Sequence, residues 1–204
     1  MSGRSAETKT PTMKQRQREA ASMALLEAAE HVASERGLDQ TSIQSIAERA
    51  QVAVGTLYNY FPDRESLLTA LFKWRRDEML PELVAAAALA QEDGPIADRL
   101  RSYFGGVARA FDKFRPFCRV NLSADQTGTV IKGRVTGDKS PVLGTILTAL
   151  TTILKPQYGA HSEEYARMMF GAFKGLMQYQ LEKNQPIESA VEPIVRTFIE
   201  GMQS

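Results

Sequence analysis

Thr41-Ser-Ile-Gln-Ser-Ile-Ala-Glu-Arg-Ala50, Gln51-Val-Ala-Val-Gly-Thr-Leu-Tyr-Asn-Tyr-Phe61 and Pro62-Asp-Arg-Glu-Ser-Leu67 form one continuous stretch of the chain. Ile43, Ile46, Ala47 and Ala50 recur at i, i+3, i+4 and i+7, the stripe of a short amphipathic helix. Either Thr41 or Ser42 caps it, and with Thr41 as the cap Gln44 takes the capping-box position. A second short helix begins near Val54. Leu57 and Phe61 share its inner side, while Gly55, Thr56, Tyr58 and Asn59 fan across the opposite side. Gly55 costs roughly 1 kcal/mol of helix propensity against alanine, which points to close approach of the backbone to a phosphate or base edge. Pro62 ends this helix, because the residue before a proline is pushed out of the α region. Asp63 can cap the next helix, which carries Leu67, Leu68, Leu71 and Phe72. Two helices joined by a tight turn and closed by a third are a way to present one helix face to a DNA major groove.

These residues resemble the N-terminal domain of TetR-family transcriptional regulators. The resemblance rests on Leu25-Leu-Glu-Ala-Ala29, Glu35-Arg-Gly37, Thr41 to Ala50 and Gly55-Thr-Leu-Tyr-Asn-Tyr-Phe61, and covers roughly residues 20–72. It implies a homodimer with a DNA-binding domain first and a variable ligand-binding domain after it, and repression relieved by a small molecule. The recognition helix is then about Val54 to Tyr60, with Thr56, Tyr58, Asn59 and Tyr60 touching bases or phosphates. Gln44 lies where the preceding helix reaches a base, and Arg64 at a phosphate-contacting basic position. With Ser42, Val54, Gly55, Lys14, Arg16 and Arg18, these make the candidate DNA-binding set. The chain departs from the family pattern at Gln51 (usually glycine), Ala53 (usually a capping serine), Tyr60 (usually histidine) and Ala33 (usually a larger aromatic). A side chain at position 51 must accept a left-handed backbone at about 1 kcal/mol, or the turn differs.

Outward from this segment, 204 residues suit one or two small domains. No run is apolar enough to cross a membrane, and the polar first residues lack the apolar stretch of a secretory signal. Cys118 is the single cysteine, so no disulfide framework or zinc cluster is expected, and a reducing cytoplasmic setting fits. His31 and His161 lie far apart in sequence, which gives metal or nucleophilic catalysis no support; no cofactor is expected. The net charge of +1 argues at first against a DNA partner, but its distribution resolves this. Arg4, Lys9, Lys14, Arg16 and Arg18 face only Glu7 within the first eighteen residues, a basic arm able to lie along phosphates.

The expected fold is all-α: a disordered basic arm over 1–13, a helix-turn-helix domain over 14–72 and a helical domain over 73–204. The first helix runs about Lys14 to Arg36, with Gly37 as its stop. The fourth continues through Trp74 and Met79, and Pro81 either kinks it or starts another. Gly94-Pro95 breaks the chain. Ile96 to Phe111 is helical, with Gly105-Gly106 marking a kink or close packing. Pro116 separates that helix from Phe117 to Ala124. Residues 125–140 read as a long loop, with room for a short helical piece. Val142 to Leu154 is helical and ended by Lys155-Pro156. His161 or Ser162 starts the next helix, and a last one uses Ile187, Val191, Ile194, Val195, Phe198, Ile199 and Met202.

The last two helices carry more apolar residues than one intramolecular face needs. Gly171 and Gly175, four apart, let another helix approach, so a dimer interface is expected there with Ile194 and Phe198. Tyr103, Phe104, Phe111, Phe114, Phe117, Met168 and Phe173 supply an apolar interior for a small-molecule site, with Cys118, Asn121 and Tyr165 as its polar groups. Plain core is the alternative for each aromatic. The expected function is a dimeric, ligand-responsive repressor on a near-palindromic operator, released by a small apolar effector. Two other readings are a helix-turn-helix regulator acting through protein partners without a ligand, and a small all-α enzyme. The last lacks a phosphate loop or any recognisable catalytic arrangement.

Overall fold

The computed structural model describes residues 12–89, 93–128, 131 and 139–201. Arg4, Lys9 and Met202, and most of the expected 125–140 loop, lie outside these residues. The regular structure among the described residues is entirely helical, with no strand. The helices are α1 (Met13–Arg36), α2 (Ile43–Arg49), α3 (Val54–Tyr58), α4 (Arg64–Leu89), α5 (Ile96–Lys113), α6 (Arg115–Thr127), α7 (Pro141–Tyr158), α8 (Ser162–Glu182) and α9 (Val191–Gly201). Short 3-10 turns at Gly159–His161 and Ile187–Ala190 precede α8 and α9. The architecture is all-α: a three-helix helix-turn-helix domain followed by a larger helical domain.

α1 starts at Met13, inside the stretch expected to be an arm, because Thr12 caps it. The Thr12 hydroxyl accepts from the Gln15 amide at 3.3 Å, and the Gln15 side chain accepts from the Thr12 amide at 2.7 Å, a reciprocal pair that satisfies two orphan donors. The first two turns of α1 are solvent-exposed; Leu25, Leu26, Ala28, Ala29, Val32 and Ala33 are buried farther along. Gly37 closes α1 at φ 83°, a conformation glycine adopts without a Cβ clash.

α4 neither breaks nor restarts at Pro81. Proline removes one amide and crowds the carbonyl four residues back; here that carbonyl belongs to exposed Asp77. α7 likewise runs through Lys155 and Pro156 to Tyr158, past the expected stop; the crowded carbonyl there is that of exposed Thr152. The 72–73 boundary expected from sequence falls inside α4, and the buried core is continuous from Leu25 to Val195. α4 and α5 make the most extensive helix pair. At their crossing a Cβ on Gly106 would stand 2.8 Å from the Ala86 Cβ, so Gly105-Gly106 marks close packing within an unbroken helix.

Candidate nucleic-acid interface

α2 is capped by Ser42. Its hydroxyl accepts from the Ser45 amide at 3.1 Å, and the Ser45 hydroxyl accepts from the Ser42 amide at 3.0 Å. The capping box is therefore Ser42–Ser45 and not Thr41–Gln44. Thr41 is buried, and its hydroxyl donates back to the Gly37 carbonyl at 2.8 Å. Gln44 is thereby left exposed and uncommitted to the cap.

The turn into α3 forms around Gln51, which takes the left-handed conformation at φ 57°. The Val52 amide donates to the Ala47 carbonyl at 3.0 Å and the Gln51 amide to the Glu48 carbonyl at 3.1 Å. This is a Schellman closure with glutamine at the position glycine usually holds. Ala53 then stands at the N-cap of α3 and makes no side-chain cap bond.

α3 has five residues and a sharp division. Leu57 is fully buried, and Phe61 beyond the helix is buried too. Val54, Gly55, Thr56, Tyr58 and Asn59 are exposed, Tyr58 to 50%. No atom lies within 4 Å of a Cβ built at Gly55, so the fold itself does not require glycine there. Tyr60 is half-buried, with the Arg18 guanidinium 5.9 Å above its ring. The N-terminal turns of α1, with exposed Lys14, Arg16 and Arg18, are thus joined through Arg18 to the end of α3.

Arg64 stands differently from the other cations. Its Nε donates to the Thr41 carbonyl at 2.6 Å and its Nη2 to the Leu38 carbonyl. The guanidinium is turned into the α1–α2 turn. One further feature of this region carried no signal in the sequence. Glu30, 3% exposed on α1, accepts from Arg75 on α4, whose Nε lies 3.0 and 3.1 Å from the two carboxylate oxygens. The Arg75 Nη1 reaches Glu78 at 2.6 Å. Burial opposes the Arg75 charge, but hydrogen bonds and attraction from Glu30, then Glu78, hold its pKa above the ordinary value. Forty-five residues separate Glu30 from Arg75 in sequence, and only the crossing of α1 and α4 unites them.

In the larger domain, Tyr103, Phe104 and Phe173 are fully buried. Ring centroids lie 5.6 Å apart for Tyr103–Phe104, 5.0 Å for Phe104–Phe173 and 6.3 Å for Phe111–Phe173. The Tyr103 hydroxyl donates to the Ile146 carbonyl at 3.1 Å. Phe117 meets Phe72 edge-on at 5.1 Å, and Phe114 lies 5.8 Å from the Arg75 guanidinium. Cys118 donates to the Phe111 carbonyl at 3.5 Å, and burial pushes its thiol pKa up to about 12. Asn121 and Tyr165 are half-buried, the latter edge-on to Tyr158, and Met168 is 58% exposed on α8. The structure thus packs Tyr103, Phe104, Phe111 and Phe173 together and sets Met168 on the surface. Two open clefts lie elsewhere. One, of about 520 Å³, includes Arg101, Gly105, Arg109, Glu188 and Glu192 in its lining; the other, of about 400 Å³, includes Gly144, Thr148, Lys155 and Arg167.

Of the expected dimer residues, Gly171 and Gly175 are exposed on α8 with nothing within 4 Å of a built Cβ. Ala172, Met168 and Tyr179 share that face at helical spacing. Ile194 is 4% exposed, because it packs into its own chain's core, and Phe198 is half-buried.

Residues 25–71 match the family model described as bacterial regulatory proteins, tetR family. The chain is 37% identical over 89 residues to the HTH-type transcriptional repressor KstR of Mycolicibacterium smegmatis (strain ATCC 700084 / mc(2)155), covering 44% of this chain and 42% of that protein. It is 36% identical over 61 residues to the fatty acid metabolism regulator protein of Bacillus subtilis (strain 168), covering 30% of this chain and 31% of that one. The chain thus spans less than half the length of these curated relatives. Its fold follows a TetR-like transcriptional regulator from Rhodococcus sp. RHA1 with a TM-score of 0.67 at 20% identity, over 96% of this chain and 100% of that one. It also follows the regulator FadR from Bacillus subtilis in complex with stearoyl-CoA, with a TM-score of 0.63 at 18% identity, over 88% and 98% of the two chains. The glutamine turn and the uncapped start of α3 are variations within a shared pattern, and over residues 25–71 the chain is similar to the TetR family of transcriptional regulators.

Proposed function

We propose that this chain is a ligand-responsive repressor that binds a near-palindromic operator as a homodimer and is released by a small, largely apolar effector. The observation that carries the DNA reading is the outward side of α3. Gly55, Thr56, Tyr58 and Asn59 have no place in the core, and Gly55 is unneeded by any neighbour in the fold. An exposed glycine in a five-residue helix costs stability and gains meaning only if another backbone comes close. Lys14, Arg16 and Arg18 sit on the same domain as cations for phosphate, with Ser42, Gln44, Val54 and Tyr60 around the reading face. A dimer presents two such faces, so half-sites fall one helical turn or a multiple apart. The arrangement serves regulation and not catalysis.

The dimer is placed on the glycine-bearing side of α8, with Phe198 at its margin. The effector site is placed among the aromatic side chains of α5, α6 and α8. Similarity to a fatty acid metabolism regulator and to a regulator in complex with stearoyl-CoA supports an effector with a long apolar part. One observation favours a second reading, a regulator without a small-molecule effector: Tyr103, Phe104 and Phe173 are 0% exposed and packed ring against ring. The test is binding of the purified protein to DNA from immediately upstream of its own gene, with and without stearoyl-CoA and palmitoyl-CoA. Retardation relieved by either thioester supports the first reading. Retardation that neither relieves, with no shift in melting temperature, supports the second. No retardation at low salt overturns the DNA-binding reading.

A further inference from the structure

We infer that Arg64 is a positioning residue for DNA recognition: its guanidinium fastens the start of α4 to the α1–α2 turn and so fixes where α2 and α3 stand. The inference rests on the DNA-binding reading above and departs from the phosphate contact expected of a basic residue at this position.

Arg64 is the first residue of a 26-residue helix. A cation there opposes the positive end of the helix dipole, so its placement needs a compensating interaction. The side chain supplies one by turning away from solvent. Its Nε and Nη2 donate to two carbonyls three residues apart, those of Thr41 and Leu38. Leu38 and Thr41 are 0% and 2% exposed, and buried carbonyls need donors. Leu38 lies just past α1, where the partial negative charge of that helix's end favours a cation. Thr41 lies immediately before the Ser42 cap, so its carbonyl is outside the α2 ladder.

The rest of the turn is tied in the same place. The Thr41 amide donates to the Leu38 carbonyl at 3.0 Å, and the Thr41 hydroxyl to the Gly37 carbonyl at 2.8 Å. Arg64 links this turn to α4 across 23 and 26 residues of sequence. Everything that carries the reading face, from Ser42 to Phe61, is strung between the turn and the start of α4. Two N–H groups in a rigid planar fork can hold both carbonyls at once. A lysine ammonium is a single point donor on a flexible stem and does not reproduce that geometry. At a phosphate contact, by contrast, lysine retains the charge.

The experiment uses the full chain and a 30-base-pair duplex recovered by the wild-type protein from a random-sequence pool. Affinity is measured across a range of salt for wild type, Arg64→Lys and Arg64→Gln, together with hydrogen exchange of the α2 amides. Both variants are expected to bind about tenfold or more weakly at every salt concentration. Their salt slopes should match wild type, and the α2 amides should exchange faster in both. The inference is overturned if Arg64→Lys binds within about twofold of wild type while Arg64→Gln shows a slope shallower by about 1.8, the loss of two phosphate contacts per dimer. It is equally overturned if neither variant changes affinity or exchange. Failure of the pool to enrich any sequence overturns the DNA-binding reading itself, a result separate from both outcomes at Arg64.

Discussion

Gln51 shows how a single residue can break a local rule without breaking the fold. It holds φ 57° in the turn between α2 and α3, and a side chain in that region costs about 1 kcal/mol. Three interactions outweigh this: the Schellman bonds from Val52 and Gln51, the buried Leu57 and the Ser42–Ser45 cap. Gln51→Gly is therefore expected to raise stability by about 0.5–1 kcal/mol, seen as a higher midpoint in urea. An unchanged or lower midpoint would mean that the turn is not strained. Cys118 gives a second test at this scale. Its folded pKa lies near 12 against an ordinary 9.0, chiefly because of burial. The folded state thus holds its proton where the unfolded state has lost it. The Cys118 contribution is complete below about pH 9 and falls away as pH rises toward 12. The native thiol should resist disulfide reagents at pH 8 and react only on unfolding; rapid labelling of native protein would contradict its burial.

At the level of elements, what the sequence shows is what neighbours along the chain decide. The stripe Ile43–Ile46–Ala47–Ala50, the stop at Pro62 and the division of α3 into inner Leu57 and outer Tyr58 are all set by spacing within a turn or two. What escaped the sequence depends on distant partners or on which of two local bonds wins. Ser42 and Ser45 cap each other, and Thr41 is drawn instead to Gly37. Glu30 reads as a polar interruption of the α1 stripe until α4 brings Arg75 to it. Pro156 reads as a stop for α7, yet the carbonyl it crowds belongs to exposed Thr152 and the helix continues to Tyr158. The Gly105–Gly106 pair was legible as a helix feature, but only the crossing of α4 and α5 shows which glycine matters. A Cβ on Gly106 meets the Ala86 Cβ at 2.8 Å, while at Gly105 it meets the flexible Arg109 side chain at 3.3 Å. Gly106→Val is expected to destabilise by about 1–3 kcal/mol or more through overpacking, and Gly105→Ala by much less. Equal melting temperatures for the two variants would contradict this packing.

For the whole molecule, α4 is the element shared by both parts. Its first turn is held to the α1–α2 turn by Arg64, its middle to α1 by Arg75, and its far end to α5 at Gly106; α4 also packs on α7. A shift of α4 would act on the α1–α2 turn through Arg64 and on α1 through Arg75. The proposed dimer would use α8, where Gly171, Ala172 and Gly175 are open between Met168 and Tyr179. Ile194, expected beside them, is used by its own core. Wild type should sediment as a dimer at micromolar concentration, and Gly175→Arg as a folded monomer with an unchanged circular dichroism spectrum. A monomeric wild type would remove the dimer from the account.

The central claim is that the outward side of α3 reads DNA, and Gly55 tests it most directly. Alanine at position 55 meets no atom within 4 Å and improves helix propensity by up to about 1 kcal/mol, so Gly55→Ala must fold at least as well as wild type. If a DNA backbone or base edge comes up against α3 there, the added methyl has nowhere to go. The measurement is the dissociation constant of wild type and Gly55→Ala for the duplex that wild type selects from a random pool, alongside both melting temperatures. The Gly55→Ala protein should melt no lower and bind at least about tenfold more weakly, a loss of about 1.4 kcal/mol. Equal affinity of the two proteins, or a wild type that selects no DNA, would contradict the claim.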